Sequence, residues 1–153
     1  MRPMAAARWV ARGVPSVYGA ARSAGLGRRD ALRVLEASAN ALLVAKRRYP
    51  RRWRAENAVR HFVWQAWLAA TYGPDVAAAI GHAHERLATD GADTAVDREN
   101  NRLGQEYGVA HAGRIRASAM RPAQSALADE AGRLWDMGQL RAPTRTTASG
   151  GGT

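Results

Sequence analysis

Eight polar or ionisable residues suited to acid–base chemistry lie between positions 57 and 101 of the chain. Histidine exchanges protons near neutral pH, a carboxylate orients the imidazole ring, and arginine stabilises negative charge that develops during a reaction. The eight residues are Asn57, Arg60, His61, His84, Glu85, Asp97, Asn100 and Asn101. Their types predict a site for a polar or anionic substrate.

These residue types assign candidate catalytic roles and leave two alternatives open. His61 or His84 would act as the general base or acid. Glu85 or Asp97 would orient that histidine, and Arg60 would hold negative charge on the substrate. The candidate substrate-binding residues are Asn57, Trp64, Asn100 and Asn101. The reaction that fits this set is a hydrolase-like or lyase-like one.

A metal-dependent version of this chemistry would use His61, His84 and Asp97 as ligands. The sequence lacks a His-Glu-x-x-His motif, because Ala88 and Thr89 stand where the second histidine is needed. The chain also has no cysteine, which excludes thiolate ligands, disulfides and thiol nucleophiles. The sequence therefore assigns no metal site and leaves any cofactor unknown.

A purely structural role is the alternative for the same residues. Buried arginine, aspartate and asparagine side chains can link helices by satisfying one another, and Asp97 also suits the N-cap of a helix. For each residue taken alone, the structural role is the more common one. The whole set favours a functional site, because proteins rarely bury this many titratable groups for stability alone.

Three predicted helices position these residues. The first covers residues 55–72 and is expected to be central, because both of its faces carry side chains unsuited to plain solvent. The second runs from Pro74 to about Leu87, and the third starts near Asp97 after a loop and reaches Gly108. Glycine inside a helix is destabilising, so Gly104 and Gly108 predict the close approach of another backbone.

The remaining pattern completes an all-α prediction, a compact bundle of about five to six helices. Asp30 is the expected N-cap of a long helix that Pro50 ends. A last helix is predicted from Ala123 to Met137, with Gly138 as its left-handed stop. The long helix carries an apolar stripe that is expected to face the core. That stripe consists of Leu32, Leu35, Ala39, Leu42 and Leu43.

The predicted organisation has three parts. Residues 1–28 form a basic arm with a short helix that Pro15 begins, residues 29–140 form a single helical domain, and residues 141–153 form a disordered tail. No apolar run is long enough to span a bilayer, and arginines interrupt any signal-peptide core. We therefore expect a cytoplasmic protein, with export by a leaderless route left open.

The net charge of +10 is concentrated toward the N-terminus. Residues 1–60 hold 14 Arg or Lys against three acidic residues, whereas residues 61–153 hold nine Arg against ten. The densest stretch, which we call the basic patch, consists of Lys46, Arg47, Arg48, Arg51, Arg52 and Arg54. Such a patch favours a non-enzymatic binding module that docks on nucleic acid or anionic membrane. A solvated helix end that increases solubility is the alternative.

Three blocks of the polar residues resemble a known bacterial family. They are Asn-Ala-Val-Arg-His at 57–61 followed by Trp64, His-Glu at 84–85, and Asp97 followed by Asn-Asn at 100–101 and Gly104. Their order and spacing resemble the bacterial domain of unknown function DUF6973 over roughly residues 50–140. The resemblance implies a helical domain and permits a hydrolase-like role without specifying a reaction.

Overall fold

Helices account for the regular structure of the chain. The structure is a computed structural model that describes residues 13–86 and 91–142, with the backbone alone for 91–94. These ranges contain helices and no strands, which confirms the all-α prediction. The helices are α1 (Val14–Ser23), α2 (Arg28–Arg48), α3 (Trp53–Tyr72), α4 (Pro74–Glu85), α5 (Gly91–Ala110), α6 (Ala112–Arg116) and α7 (Met120–Asp136). The first twelve residues of the predicted arm and the predicted tail beyond residue 142 lie outside the described residues.

Helix α3 is the centre of the bundle, as its sequence predicts. Every residue from 61 to 70 is buried, and the helix packs against α2, α4, α5, α6 and α7. Phe62, Val63 and Leu68 are completely enclosed. A helix enclosed on all sides must satisfy its polar side chains within the protein, because bulk water does not reach them.

Helices α3 and α5 approach each other closely at two glycines. A Cβ atom at Gly104 would lie 2.6 Å from the carbonyl oxygen of Phe62, and one at Gly108 would overlap the backbone of Ala66. The predicted role of these glycines in close packing is confirmed. The short separation between the two helices lets short side chains such as asparagine bridge them.

Helix α1 packs against α2 and α4. Val17 is buried on this contact, and the Ser16 hydroxyl donates a hydrogen bond of 3.1 Å to the Ala83 carbonyl of α4. The described part of the predicted N-terminal arm is therefore attached to the bundle.

Two glycines end helices as predicted. Gly138 has a φ of 71°, and the N–H of Gln139 bonds back to the Leu134 carbonyl at 2.9 Å, which closes α7 in a Schellman motif. Gly73, with a φ of 95°, separates α3 from α4. Both positions need a conformation that residues with a Cβ rarely adopt.

Two helices begin earlier than their capping signals predict. Helix α5 starts at Gly91, so Asp97 lies inside the helix and is not its N-cap. Helix α2 has Gly27 as its N-cap, and Asp30 lies in its first turn. The Asp30 carboxylate accepts a hydrogen bond of 3.2 Å from the Tyr72 hydroxyl. Both aspartates thus bond to distant residues rather than to their own helix ends.

The region before the last helix also differs from its prediction. Helix α7 starts at Met120 rather than Ala123, because Pro122 lies in the first turn, where a backbone N–H has no partner within the helix. The short helix α6 precedes it and buries Ile115.

The predicted apolar stripe of α2 is correct only in part, because Leu35 packs against the core whereas Leu32, Ala39 and Leu43 are exposed. The buried face consists mainly of small residues, with Leu32 59% and Leu43 50% exposed on the other side of the helix. The buried residues are Ala31, Val34, Ala37, Ser38, Ala41 and Ala45. Because α2 is apolar on two opposite faces, periodicity alone does not decide between them. Packing chooses the alanine face, which allows α2 to lie close to α3.

Candidate functional site

The three polar blocks meet where α3, α4 and α5 pack together. Hydrogen bonds join six of the eight predicted residues into one set, which we call the inner network. Its members are Asn57, Arg60, His61, Glu85, Asp97 and Asn101. Of the other two, His84 lies beside the network and Asn100 bonds elsewhere. The three predicted blocks do converge in the fold.

His61 is the buried centre of the inner network, with a side chain only 1% exposed. Its Nδ1 lies 2.9 Å from Asn101 Oδ1, and its Nε2 lies 2.8 Å from a guanidinium nitrogen of Arg60. Its Nε2 also lies 3.3 Å from Asp97 Oδ2. Three polar partners therefore surround one imidazole ring.

The orientation of Asn101 determines which nitrogen of His61 carries the proton. Asn101 Nδ2 donates to Glu85 Oε1 at 2.6 Å, so the amide oxygen of Asn101 faces His61. A carbonyl oxygen only accepts, so His61 Nδ1 carries a proton and donates it to Asn101. The other ring nitrogen, Nε2, faces both Arg60 and Asp97.

Glu85 holds Asn101 in this orientation. The Glu85 side chain is buried, and its second oxygen accepts a bond of 2.8 Å from Arg98 Nε on α5. Both carboxylate oxygens of Glu85 are thus bound by α5. Arg98 did not enter the predicted site, although its position three residues before Asn101 places it on the neighbouring face of the same helix.

Asp97 is more accessible than His61, with a side chain 15% exposed. Its Oδ1 accepts a bond of 2.7 Å from Asn57 Nδ2. Burial raises the pKa of the Asp97 carboxyl, but the hydrogen bond and charge of His61, the charge of Arg60 and the Asn57 bond together lower it below the ordinary value. Asp97 is therefore an ionised carboxylate at neutral pH.

Arg60 brings a positive charge into the same space. One guanidinium nitrogen donates to Asn57 Oδ1 at 2.9 Å and lies 2.8 Å from His61 Nε2. Burial lowers the pKa of Arg60, and the nearby carboxylates of Asp97 and Glu56 oppose that shift without cancelling it. Arg60 and Asp97 form a compensated pair of charges around the His61 ring.

His84 packs against the inner network through its ring. Its centroid lies 5.7 Å from that of His61 and 5.3 Å from that of Trp64, with the Trp64 ring edge-on. Burial, followed by the positive charges of Arg60 and His61, lowers the pKa of His84 to about 3, against a raising effect of Asp97. His84 is therefore neutral at physiological pH. Trp64, also a predicted substrate-binding residue, is 2% exposed.

Asn100 is fully buried on a different face of α5. Its amide exchanges two hydrogen bonds with the backbone of Arg141, donating at 2.9 Å and accepting at 3.1 Å. These bonds fasten the segment after α7 to the bundle. The structure does not bring Asn100 into the inner network.

A glutamine pair that the sequence analysis missed extends the polar seam between α3 and α5. Gln65 is fully buried, and its Oε1 accepts a bond of 2.7 Å from Gln105 Nε2. Gln65 lies four residues after His61 and so on the same face of α3, a spacing that could have identified it.

A surface cavity of about 200 Å³ reaches the inner network from the side of α4 and α5. Glu85 and Asn101 form part of its wall, so solvent or a small ligand has a path to this end of the network. The lining residues are Ala78, Gly81, His82, Glu85, Arg98, Asn101, Arg102 and Gln105.

The basic patch lies at the end of α2, in the following turn and at the start of α3, and all six of its residues are exposed. Arg48 pairs with Asp129 at 2.8 Å. Within the described part of the chain, the other five cations form no ion pair. Trp53 is 58% exposed, and the Arg54 guanidinium lies 5.6 Å from its ring centre.

Among the described residues, no three or more His, Asp or Glu side chains are placed to hold a metal ion. No described helix combines the length and the hydrophobicity needed to cross a bilayer.

A helical bundle with a polar network on its central helix is the class of protein that these observations define. The chain belongs to the family described as a domain of unknown function (DUF6973), whose model matches residues 26–130. The match includes the whole inner network and the basic patch, and it extends further toward the N-terminus than the motifs implied. No curated protein and no solved structure matches the chain.

Proposed function

We propose that this domain is an acid–base enzyme of the hydrolase class, in which the Asp97 carboxylate activates a water molecule and His61 takes up the proton. The observation that carries the proposal is the 3.3 Å separation between a partly exposed carboxylate, Asp97 Oδ2, and a sealed imidazole nitrogen, His61 Nε2. In this arrangement Asp97 contacts the substrate, and the buried His61 receives the proton from Asp97.

The reaction step follows from the hydrogen bonds of the resting site. A water molecule donates one hydrogen to Asp97, its O–H bond breaks as the oxygen attacks the substrate, and the proton passes through the carboxylate to His61 Nε2. The protonated ring donates from both nitrogens, to Asn101 and to Asp97. The leaving group takes the proton back when the bond to it breaks.

Proton uptake by His61 also changes the partner of Arg60. In the proposed resting state His61 is neutral, and its Nε2 accepts a hydrogen bond from the Arg60 nitrogen that lies 2.8 Å away. Protonated His61 no longer accepts it, which releases an N–H of Arg60 toward negative charge that develops on the substrate. This exchange supports a substrate that is polar or anionic.

The test measures hydrolysis by the purified chain on nitrophenyl carboxylic esters, phosphodiesters and amides. We expect Asp97→Asn to lower kcat by roughly 10²–10⁴-fold and to retain the fold, whereas the matched control Asp75→Asn, at an exposed position of α4, keeps wild-type activity.

Two outcomes would remove the enzyme proposal. One is a folded Asp97→Asn variant with wild-type activity, and the other is the absence of hydrolysis on all three substrate classes. Thermal denaturation of His61→Ala, His84→Ala and Asp97→Asn, with elemental analysis, separates the structural alternative. Equal and complete unfolding of all three without bound metal would assign the inner network to stability alone.

A second candidate function is the binding of a phosphate-bearing partner by the basic patch. The exposure of its six residues favours this, as does the absence of ion pairs from Lys46, Arg47, Arg51, Arg52 and Arg54 within the described chain. Binding to nucleic acid and to anionic vesicles should weaken steeply as salt concentration rises. A salt dependence near zero for both partners would exclude phosphate contact.

A further inference from the structure

Helix α2 carries an apolar stripe on the face that points away from the bundle. Leu32 is 59% exposed and Leu43 is 50% exposed. The step of eleven positions from Leu32 to Leu43 rotates the helix by roughly 20° beyond whole turns and advances it by about 16 Å, so both leucines lie on one line. The exposed Ala39 lies between them on that line.

Basic residues flank this stripe at both ends of the helix. Arg28 and Arg29 precede Leu32, Lys46 and Arg47 follow Leu43, and all four are exposed. The second pair belongs to the basic patch, so the apolar stripe runs directly into it. Glu36 is the acidic residue on this outer face.

We propose that the outer face of α2, from Arg28 to Arg47, binds the surface of a bilayer that contains anionic lipid. Leu32 and Leu43 enter the boundary between headgroups and acyl chains, and the flanking cations contact lipid phosphates. The proposal rests on the second proposed function, that the basic patch binds a phosphate-bearing partner. It adds the chemical class of that partner and the apolar half of the interface.

The combination of leucine with arginine and lysine favours a bilayer over nucleic acid. The phosphate backbone of a nucleic acid pairs with the cations, but it provides no apolar surface for Leu32 and Leu43. A bilayer surface binds both the leucines and the cations, because apolar side chains enter the interface while long basic side chains stay at the phosphates. The exposed Trp53, which follows the basic turn, has the residue type that is enriched at membrane interfaces.

Charge also disfavours a second copy of the chain as the occupant of this face. In a symmetric pair of α2 helices, either relative direction brings a basic end against a basic end, because Arg28 and Arg29 lie at one end and Lys46 and Arg47 at the other. Like charges across an interface oppose association. An anionic bilayer surface attracts the basic residues at both ends of α2.

The experiment measures co-sedimentation of the full chain with phosphatidylcholine vesicles that contain or lack phosphatidylserine, and separately its binding to an oligonucleotide duplex. The double variant Leu32→Ser/Leu43→Ser should weaken binding to the anionic vesicles roughly tenfold or more. The matched control Val109→Ser/Met137→Ser changes two side chains of similar exposure, 50% and 57%, that are not part of α2, and it should bind as wild type. Circular dichroism verifies that both double variants are folded.

Each outcome decides between the proposals. Loss of vesicle binding in both Leu32→Ser/Leu43→Ser and Lys46→Gln/Arg47→Gln, with the control intact, supports the membrane interface. Loss in the charge variant alone overturns it and leaves a purely electrostatic patch. Binding to the duplex without binding to vesicles overturns it and keeps the basic patch as a nucleic-acid site. Binding to neither overturns this inference and the patch function together.

Discussion

The inner network and the basic patch both consist of polar or charged side chains, but they are built in opposite ways. In the inner network His61 is 1% exposed, and Asn101 and Glu85 are each held by two partners on other helices. In the basic patch every side chain is exposed, and Arg48 is the member with an ion pair among the described residues. The polar side chains are therefore mutually dependent in the inner network and nearly independent of one another in the basic patch.

This difference determines how each region should respond to change. Removing one partner inside a buried network leaves the other polar groups without hydrogen bonds. The free-energy cost then includes the desolvation of those unpaired groups. Removing one exposed cation leaves its neighbours solvated, and the cost is small. Experiments that compare the two regions can therefore test the assignment of each.

The largest effect is expected where the inner network depends on the close contact of α3 with α5. Gly108→Ala would place a Cβ into the backbone of Ala66. We expect the free energy of unfolding to fall by about 3 kcal/mol, measured by urea denaturation. Gly19→Ala, at a helical position with open space around it, is the matched control and should not destabilise. Equal stability of the two variants would show that α3 and α5 do not approach as described.

The next effect tests mutual dependence within the inner network. Asn101→Leu keeps a similar volume but removes the partners of His61 Nδ1 and Glu85 Oε1. We expect a loss of roughly 2–3 kcal/mol in the free energy of unfolding, whereas Arg47→Ala in the basic patch should change it by less than about 0.5 kcal/mol. A loss of similar size in both variants would contradict the contrast between the regions.

A third effect distinguishes the interior histidine from the exposed one on the same helix. The pKa of His84 is about 3 in the folded protein against an ordinary 6.5, so the unfolded chain binds more protons between these values. The contribution of His84 to the free energy of unfolding should therefore be fully present above pH 6.5 and be lost as pH drops toward 3. Between pH 7 and 5 the loss should be about 1–2 kcal/mol.

Two variants check that pH dependence. His84→Phe keeps an aromatic ring beside Trp64 but cannot titrate, so its urea-denaturation stability should change less between pH 7 and 5 than that of the wild type. His82→Gln, on the exposed side of α4, should retain the wild-type slope. An unchanged slope in His84→Phe would mean that His84 is not held neutral by burial.

The smallest effect belongs to the ion pair of the basic patch. Arg48 and Asp129 are 43% and 66% exposed, so water screens their attraction. Asp129→Asn should lower the free energy of unfolding by at most about 0.5 kcal/mol, and that difference should vanish in high salt. A cost above roughly 1 kcal/mol would place this pair among the structural contacts of the bundle.

The polar set could be predicted because helical periodicity and residue type together identify it. Asn57 and His61 lie one turn apart on a helix whose two faces are both unsuited to solvent, and this pattern indicated a buried polar centre. Asp97 was found by type, although its predicted place at a helix start is wrong. The direction in which each side chain points could not be predicted from the sequence.

Adjacent residues show why direction is harder to predict. Asn100 and Asn101 differ by about 100° around α5, and only Asn101 joins the inner network, while Asn100 bonds to Arg141. The rotation of α5 about its axis is set by the contacts of Gly104 and Gly108 with α3. Those contacts join residues about 40 positions apart in the chain, so a pattern within one helix cannot predict them.

The sequence by itself determined the helical class, the central place of α3, the glycine stops and the residue types available for chemistry. These features depend on propensities and spacings that act within a turn or two of the chain. The tertiary structure alone decided that the alanine face of α2 is buried, that Leu32 and Leu43 are exposed, and that Asp97 is more accessible than His61. Those outcomes depend on how closely two distant surfaces pack, because burial is a property of the pair and not of either helix.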